Sequence, residues 1–243
     1  MESRYKKKFY ETATIGKGNS LTGHCYWYKI QGDENMLNRY RKKFNSVYME
    51  SFKDELNKAI QSLSYILKSK GISFSVIGGA ARNKYGYEKI TDDIDIVVSK
   101  SDKSKLKDIS IGYMRDISSG RLKVFTLHEP KTKVEVIFSD EISGDGIHGL
   151  KYEEPNKISK NINGIPYITL KNLIMYKLSS GMYGNRYKDF DDIQQLILRN
   201  KLKRDYANSF REDLREKYVQ LFDEIKNIKS LWKLFTFKYH NLY

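Results

Sequence analysis

Asp93 and Asp95 lie two residues apart in the run Thr91-Asp92-Asp93-Ile94-Asp95-Ile96-Val97-Val98, a spacing that sends both carboxylates to the same side of a strand. The aliphatic residues around them predict a buried strand, where an uncompensated carboxylate costs several kcal/mol unless a cation or partner offsets it. A third acid, Glu135, interrupts another apolar run, Val134-Glu135-Val136-Ile137. If the two strands are neighbours, the three acids form a cluster of hard oxygen ligands, which suits Mg²⁺ or Mn²⁺ rather than zinc. Upstream, a short apolar strand ends in Gly78-Gly79-Ala80-Ala81-Arg82. Two glycines there allow a helix to start with bare N–H groups facing outward, an arrangement that accepts phosphate. Phosphate beside paired carboxylates is the chemistry of phosphoryl or nucleotidyl transfer. An Asp-x-Asp pair alone fits a solvated strand end equally well; the diglycine, the apolar setting and Glu135 together weigh against that.

Positioning these groups requires a sheet with helices behind it. From 46 to 70 the residues Phe52, Leu56, Ala59, Ile60, Leu63, Ile66 and Leu67 recur at helical spacing, and Gly71 fits the position just past the helix end. Strands are expected over 73–77, 94–98, 122–127 and 133–138, with a short helix over 80–85, a helix over 102–109 and a turn at 129–132. The stretch 139–163 is polar and glycine-containing and predicts a long loop or linker. Beyond it, Thr169 caps a helix carrying Leu170, Leu173, Ile174 and Leu178. A second helix carries Phe190, Ile193, Leu196 and Ile197, and a third carries Ala207, Phe210, Leu214, Leu221, Phe222, Ile225 and Ile228. The predicted class is α+β: a small mixed sheet with helices on one face, followed by a helical C-terminal half. The corresponding division is a basic arm or hairpin over 1–45, a catalytic region over 46–165 and a helical region over 166–243.

The chain has 243 residues and a formal net charge of +14, with an isoelectric point near 9.5. That balance favours a polyanionic partner such as RNA, although a chain rich in Lys, Asn, Ile and Tyr also follows from coding bias. Basic clusters with interleaved tyrosines, Arg4 to Lys8 and Arg39 to Lys43, suit either a base-stacking surface or a solvated arm. Cys25 is the only cysteine, so no internal disulfide forms and a reducing, cytoplasmic setting is expected. No apolar run reaches the roughly 18 residues of a membrane span. Gly16-Lys17-Gly18-Asn19-Ser20 lacks phosphate-loop spacing and reads as a turn. His24, His128, His148 and His240 show no ligand spacing.

The diglycine, the Asp93-Ile94-Asp95 strand and the later acid Glu135 together resemble the signature of the DNA polymerase β-like nucleotidyltransferase superfamily. Gly78-Gly79, Arg82 and Thr91-x-Asp93-Ile94-Asp95 are similar to the version in tRNA CCA-adding enzymes. Thr169-Leu170-x-x-Leu173-Ile174-x-x-Lys177-Leu178 and Arg186-x-Lys188-Asp189-x-x-Asp192-Ile193 resemble the helical part of stand-alone members, including abortive-infection-type toxin nucleotidyltransferases. The resemblance spans 72–199, and Gly79 stands where the family often has serine. It implies that Asp93, Asp95 and Glu135 hold Mg²⁺ or Mn²⁺ and catalyse transfer. It also implies that Gly78, Gly79, Arg82, Lys177, Lys188 and Asp192 attend a nucleoside triphosphate. From the residues themselves, Lys177 fits a triphosphate contact or a surface lysine, and Lys188 with Asp192 fits a simple i,i+4 ion pair or, with Asp189, a cleft lining. The expected acceptor is an RNA, tRNA being one candidate, with a protein hydroxyl or a small molecule as alternatives. Two other readings are an inactive RNA-binding or regulatory scaffold of this fold and the toxin of a toxin–antitoxin pair.

Overall fold

The computed structural model describes residues 14–15, 28–29, 34–107, 115–116, 123–128 and 131–240, with side chains over 50–106, 126–127 and 131–227. The chain divides into two compact units, 1–51 and 52–243. In the first, β1 (Thr14–Ile15) pairs antiparallel with β2 (Tyr28–Lys29). Most of the basic arm expected over 1–45 lies outside the described residues, including the Gly16 to Ser20 turn and the side chains of both tyrosine-interleaved clusters.

Helix α1 (Glu34–Ser69) begins twelve residues earlier than its apolar spacing suggests. In the second unit its buried stripe is Ala59, Ile60, Leu63 and Leu67. Gly71 ends it as expected: at φ +61° it takes the left-handed conformation, and the Gly71 and Ile72 amides donate back to the Lys68 and Leu67 carbonyls at 2.9 Å each. A seven-stranded mixed sheet follows. Its early members are β3 (Phe74–Val76) and β4 (Asp93–Val98), separated by the short helix α2 (Gly78–Lys84). A 3-10 turn (Lys100–Asp102) leads into the five-residue α3 (Lys103–Lys107), which bears out the helix expected over 102–109 at 103–107; residues 108–109 lie outside the described residues. Then come β5 (Arg115–Asp116), β6 (Lys123–His128) and β7 (Lys131–Phe138).

The region 139–163 corrects the expectation of a loop. Helix α4 (Pro155–Ile158) leads into β8 (Ser159–Ile162), which pairs antiparallel with β9 (Ile165–Ile168). Asn163-Gly164 makes the two-residue turn, with φ of 51° and 81°. Both residues adopt positive φ, as a hairpin turn matched to strand twist requires, and Asn-Gly is the pair that does so most cheaply. The sheet order is β5-β6-β7-β4-β3-β9-β8, with β4/β7 and β3/β9 parallel and the other pairs antiparallel.

The two faces of the central strands differ. Ile94, Ile96 and Val98 of β4 register with Val134, Val136 and Phe138 of β7, and all six are buried in a core that includes α1. On the opposite face the buried character survives at Val97 but gives way to the half-exposed Asp93, Asp95 and Glu135. The sheet is thus closed along one face and open at one end of the other.

The helical half follows as expected. The Thr169 hydroxyl accepts from the Asn172 amide at 3.3 Å and caps α5 (Leu170–Tyr183). The second helix is α6 (Lys188–Arg199); α5 and α6 pack closely, since a Cβ on Gly181 would lie 2.5 Å from the Phe190 ring. The third, α7 (Glu212–His240), carries Leu214, Tyr218, Leu221 and Ile225 on its buried stripe. Ala207 and Phe210, expected on that helix, are buried but precede it: Ala207 ends a 3-10 turn (Arg204–Ala207). Asn208 and Ser209, which favour turns over helix interiors, separate the two elements.

Candidate metal and nucleotide site

Parallel pairing of β4 with β7 places Asp95 directly opposite Glu135 and Asp93 opposite Lys133. Because the strands are in register and side chains alternate, all four occupy the open face. Asp93, Asp95 and Glu135 each present a carboxylate oxygen, and these oxygens lie within 4.8 Å of one another. The three acids named from the sequence therefore converge.

The diglycine makes room for them. Gly78 has φ +60°, and a Cβ built there would sit 1.8 Å from Asp95 Oδ2, so any side chain would displace that carboxylate. A Cβ on Gly79 would lie 2.7 Å from Thr91 Oγ1. That hydroxyl donates to Asp93 Oδ1 at 2.8 Å and fixes its orientation. The Ile77 amide donates to the Asp95 carbonyl at 2.9 Å, tying the turn to the strand. Thr91 and Gly79 together position Asp93, as Gly78 frames Asp95.

The electrostatics are those of crowded negative charge only partly offset by nearby cations. Burial, then Asp93, then Glu135 push the Asp95 carboxyl up to about 6, while Arg186 and Lys177 act in the opposite direction. Lys133 Nζ contacts Glu135 Oε1, and this contact keeps the ammonium more strongly protonated than usual, with burial opposing and Asp93 and Asp95 adding to the effect. Tyr152, buried and stacked on Tyr176 with ring centroids 4.3 Å apart, is also near enough to Asp95 to feel its charge. Its backbone is held by antiparallel bonds to Asp140 and Glu141.

The remaining residues named from the sequence divide into two groups. Arg82, Lys177 and Asp192 are buried and bond to one another rather than lining an open surface. Lys177 Nζ donates to Asp189 Oδ1 and Asp192 Oδ2 at 2.6 Å each, and Arg82 NH1 reaches Asp192 Oδ2 at 3.3 Å. Burial would raise the Asp192 carboxyl, but Lys177 and Arg82 outweigh it and hold it low. This network ties α2, which carries the glycines, to α5 and α6. Lys188 is exposed at the first turn of α6, and Asp192 pairs with Lys177 and Arg82 in place of Lys188.

Three residues around the cluster escaped the site reading: Thr91, Lys133 and Arg186. Arg186 Nε lies 3.5 Å from Asp189 Oδ2, and its half-exposed guanidinium acts on Asp95. Lys133 was detectable, being two residues from Glu135 on a strand and so on its face. For Arg186 the family-like run Arg186-x-Lys188-Asp189 assigns it only to the helical half; the segment just before α6 brings it near Asp95 across more than ninety residues.

The raised Asp95 carboxyl predicts a pH signature. The unfolded group ionises near 3.8 and the folded one near 6. Between those values the native state binds the extra proton, so this group's contribution to stability falls as pH rises and levels off above about 6. Without divalent metal, the melting temperature of Asp95→Asn should gain on wild type from pH 4 to 6.5 and stay ahead above that. A constant difference across that range contradicts it.

The donor set fits a hard divalent cation: three carboxylates, no nitrogen or sulfur ligand among them, and a neighbouring backbone that only glycine permits. No family model matches this sequence, and no curated protein matches it. Solved structures do. An antigenic nucleotidyltransferase-like protein from Paracoccidioides brasiliensis is 18% identical over 74% of this chain and 93% of its own, with a TM-score of 0.50. A nucleotidyltransferase-like structure from Thermotoga maritima shares 17% identity over 61% and 95% of the two chains, with a TM-score of 0.39. The Megavirus polyadenylate synthase shares 13% over 75% and 41%, with a TM-score of 0.43. The chain has a nucleotidyltransferase fold. Among the described residues no helix is long and apolar enough to cross a membrane.

Proposed function

We propose that this protein is a metal-dependent nucleotidyltransferase that moves a nucleoside monophosphate from a nucleoside triphosphate to an acceptor hydroxyl. The observation that carries this reading is the register of β4 and β7, which brings Asp95, Asp93 and Glu135 together beside the Gly78 backbone. When bound there, Mg²⁺ or Mn²⁺ supplies Lewis acidity to the α-phosphoryl group and to the attacking oxygen.

The protein's own residues do the rest by placement and charge. Asp93, Asp95 and Glu135 hold the cation, and Thr91 keeps the Asp93 carboxylate aimed. Glu135 also assists deprotonation of the acceptor hydroxyl. Gly78 and Gly79 expose backbone against which the β- and γ-phosphates rest. Arg186 faces the charge that develops as pyrophosphate leaves. The Arg82–Asp192–Lys177–Asp189 network serves by holding α2 against α5 and α6, so that the glycines and Arg186 address the same point. Exposed Lys188 and Tyr187 beside Arg186 suit a polyanionic acceptor, and with the charge of +14 they favour RNA. The presence of all three acids supports catalysis over an inactive scaffold.

The test uses the full chain, Mg²⁺, each of the four nucleoside triphosphates and total RNA. Label at the α-phosphate should enter acid-insoluble RNA, and label at the γ-phosphate should not. Transfer of γ-label identifies a kinase instead. Labelling of protein or a small molecule with RNA unlabelled removes the RNA assignment.

A further inference from the structure

Lys133 is not needed by the reaction as described, yet among the described residues it is the cation paired with one of the three acids. It precedes Glu135 by two residues on β7, shares its face and registers against Asp93 of β4. Its ammonium rests on Glu135 Oε1. The two side chains differ in freedom: Lys133 is 48% exposed, whereas Glu135 is 19% exposed. The mobile partner is therefore the lysine. An exposed strand pair of this kind contributes little by itself. Here its acid belongs to a cluster whose oxygens lie within 4.8 Å of one another, and such a cluster repels itself unless a positive charge is present.

We infer that Lys133 is the resident counter-ion of the acid cluster, occupying Glu135 until a divalent cation takes that oxygen and the ammonium turns to the incoming phosphates. The inference rests on the proposed nucleotidyl transfer. Its basis is competition: Glu135 Oε1 cannot serve an ammonium and a divalent cation at once, and the two positive charges repel across a few ångströms. Metal alone must displace Lys133 without recompense. Metal arriving with a triphosphate offers the displaced ammonium an anionic partner on a flexible four-carbon stem. The site therefore favours the metal–nucleotide complex over either component, and Lys133 sets that order.

The experiment measures Mn²⁺ binding without nucleotide by titration calorimetry, together with melting temperature in chelator and in Mn²⁺. It compares wild type, Lys133→Met, Lys133→Gln and Asp93→Asn. Both Lys133 variants should bind Mn²⁺ about tenfold more tightly than wild type. They should also melt lower than wild type in chelator and recover in Mn²⁺, a stability readout independent of turnover. If either variant fails to fold, the other is read. Equal or weaker Mn²⁺ binding by the Lys133 variants, with Asp93→Asn abolishing it, overturns the counter-ion role and leaves the transfer reading intact. Absence of Mn²⁺ binding to every protein, or binding that Asp93→Asn does not weaken, overturns both.

Discussion

Asp95→Asn will reduce nucleotidyl transfer on the order of 10³-fold or more while raising the melting temperature of the metal-free protein above pH 6. The two effects have one cause. Burial together with Asp93 and Glu135 lifts the Asp95 carboxyl from 3.8 to about 6. At neutral pH the folded protein thus holds a charge it would rather not hold, at a cost of about 3 kcal/mol at most. An amide of the same shape removes that cost and also removes a metal ligand. Activity and stability move in opposite directions, as expected of a group retained for chemistry. Asp93→Asn should lose activity similarly. Transfer assays paired with thermal melts in chelator check this, and an Asp95→Asn variant that is both less stable and fully active contradicts it.

The second large effect falls on stability. Lys177→Met should cost about 3–5 kcal/mol, because it leaves Asp189 and Asp192 buried with only the edge contacts of Arg186 and Arg82. Methionine fills similar volume, so the loss reports the charge rather than a cavity. Burial of both aspartates makes the remaining charges expensive, and Asp192 Oδ1 already has no hydrogen-bond partner. Lys188→Met, eleven residues further along but exposed, should shift stability by less than about 0.5 kcal/mol. Urea unfolding of both variants compares them. If Lys177→Met is as stable as Lys188→Met, the network is not what ties α2 to the helical half.

How much of this was legible beforehand follows from the range of the forces involved. Asp93 and Asp95 could be placed because side-chain alternation is local, and Glu135 because a lone acid in an apolar strand demands an explanation. The pairing Asp95↔Glu135 spans forty residues and came from the family resemblance joined to that demand. The β8–β9 hairpin departs from the loop expectation because Ser159–Ile162 is an edge strand with little apolar content, although Asn163-Gly164 carries the turn signal. The resemblance assigns Arg82, Lys177 and Asp192 to a nucleoside triphosphate, but spacing along one helix says nothing about partners on another. Only the tertiary fold reveals that they bond to one another across α2, α5 and α6.

The most direct measurement is the anomalous signal of Mn²⁺ in crystals of the wild-type protein soaked with a non-hydrolysable nucleoside triphosphate analogue. The account predicts a peak within coordination distance of Asp93, Asp95 and Glu135, with the analogue's phosphates against Gly78 and Gly79. A well-ordered analogue with its metal elsewhere, or with Glu135 outside the coordination sphere, would contradict it.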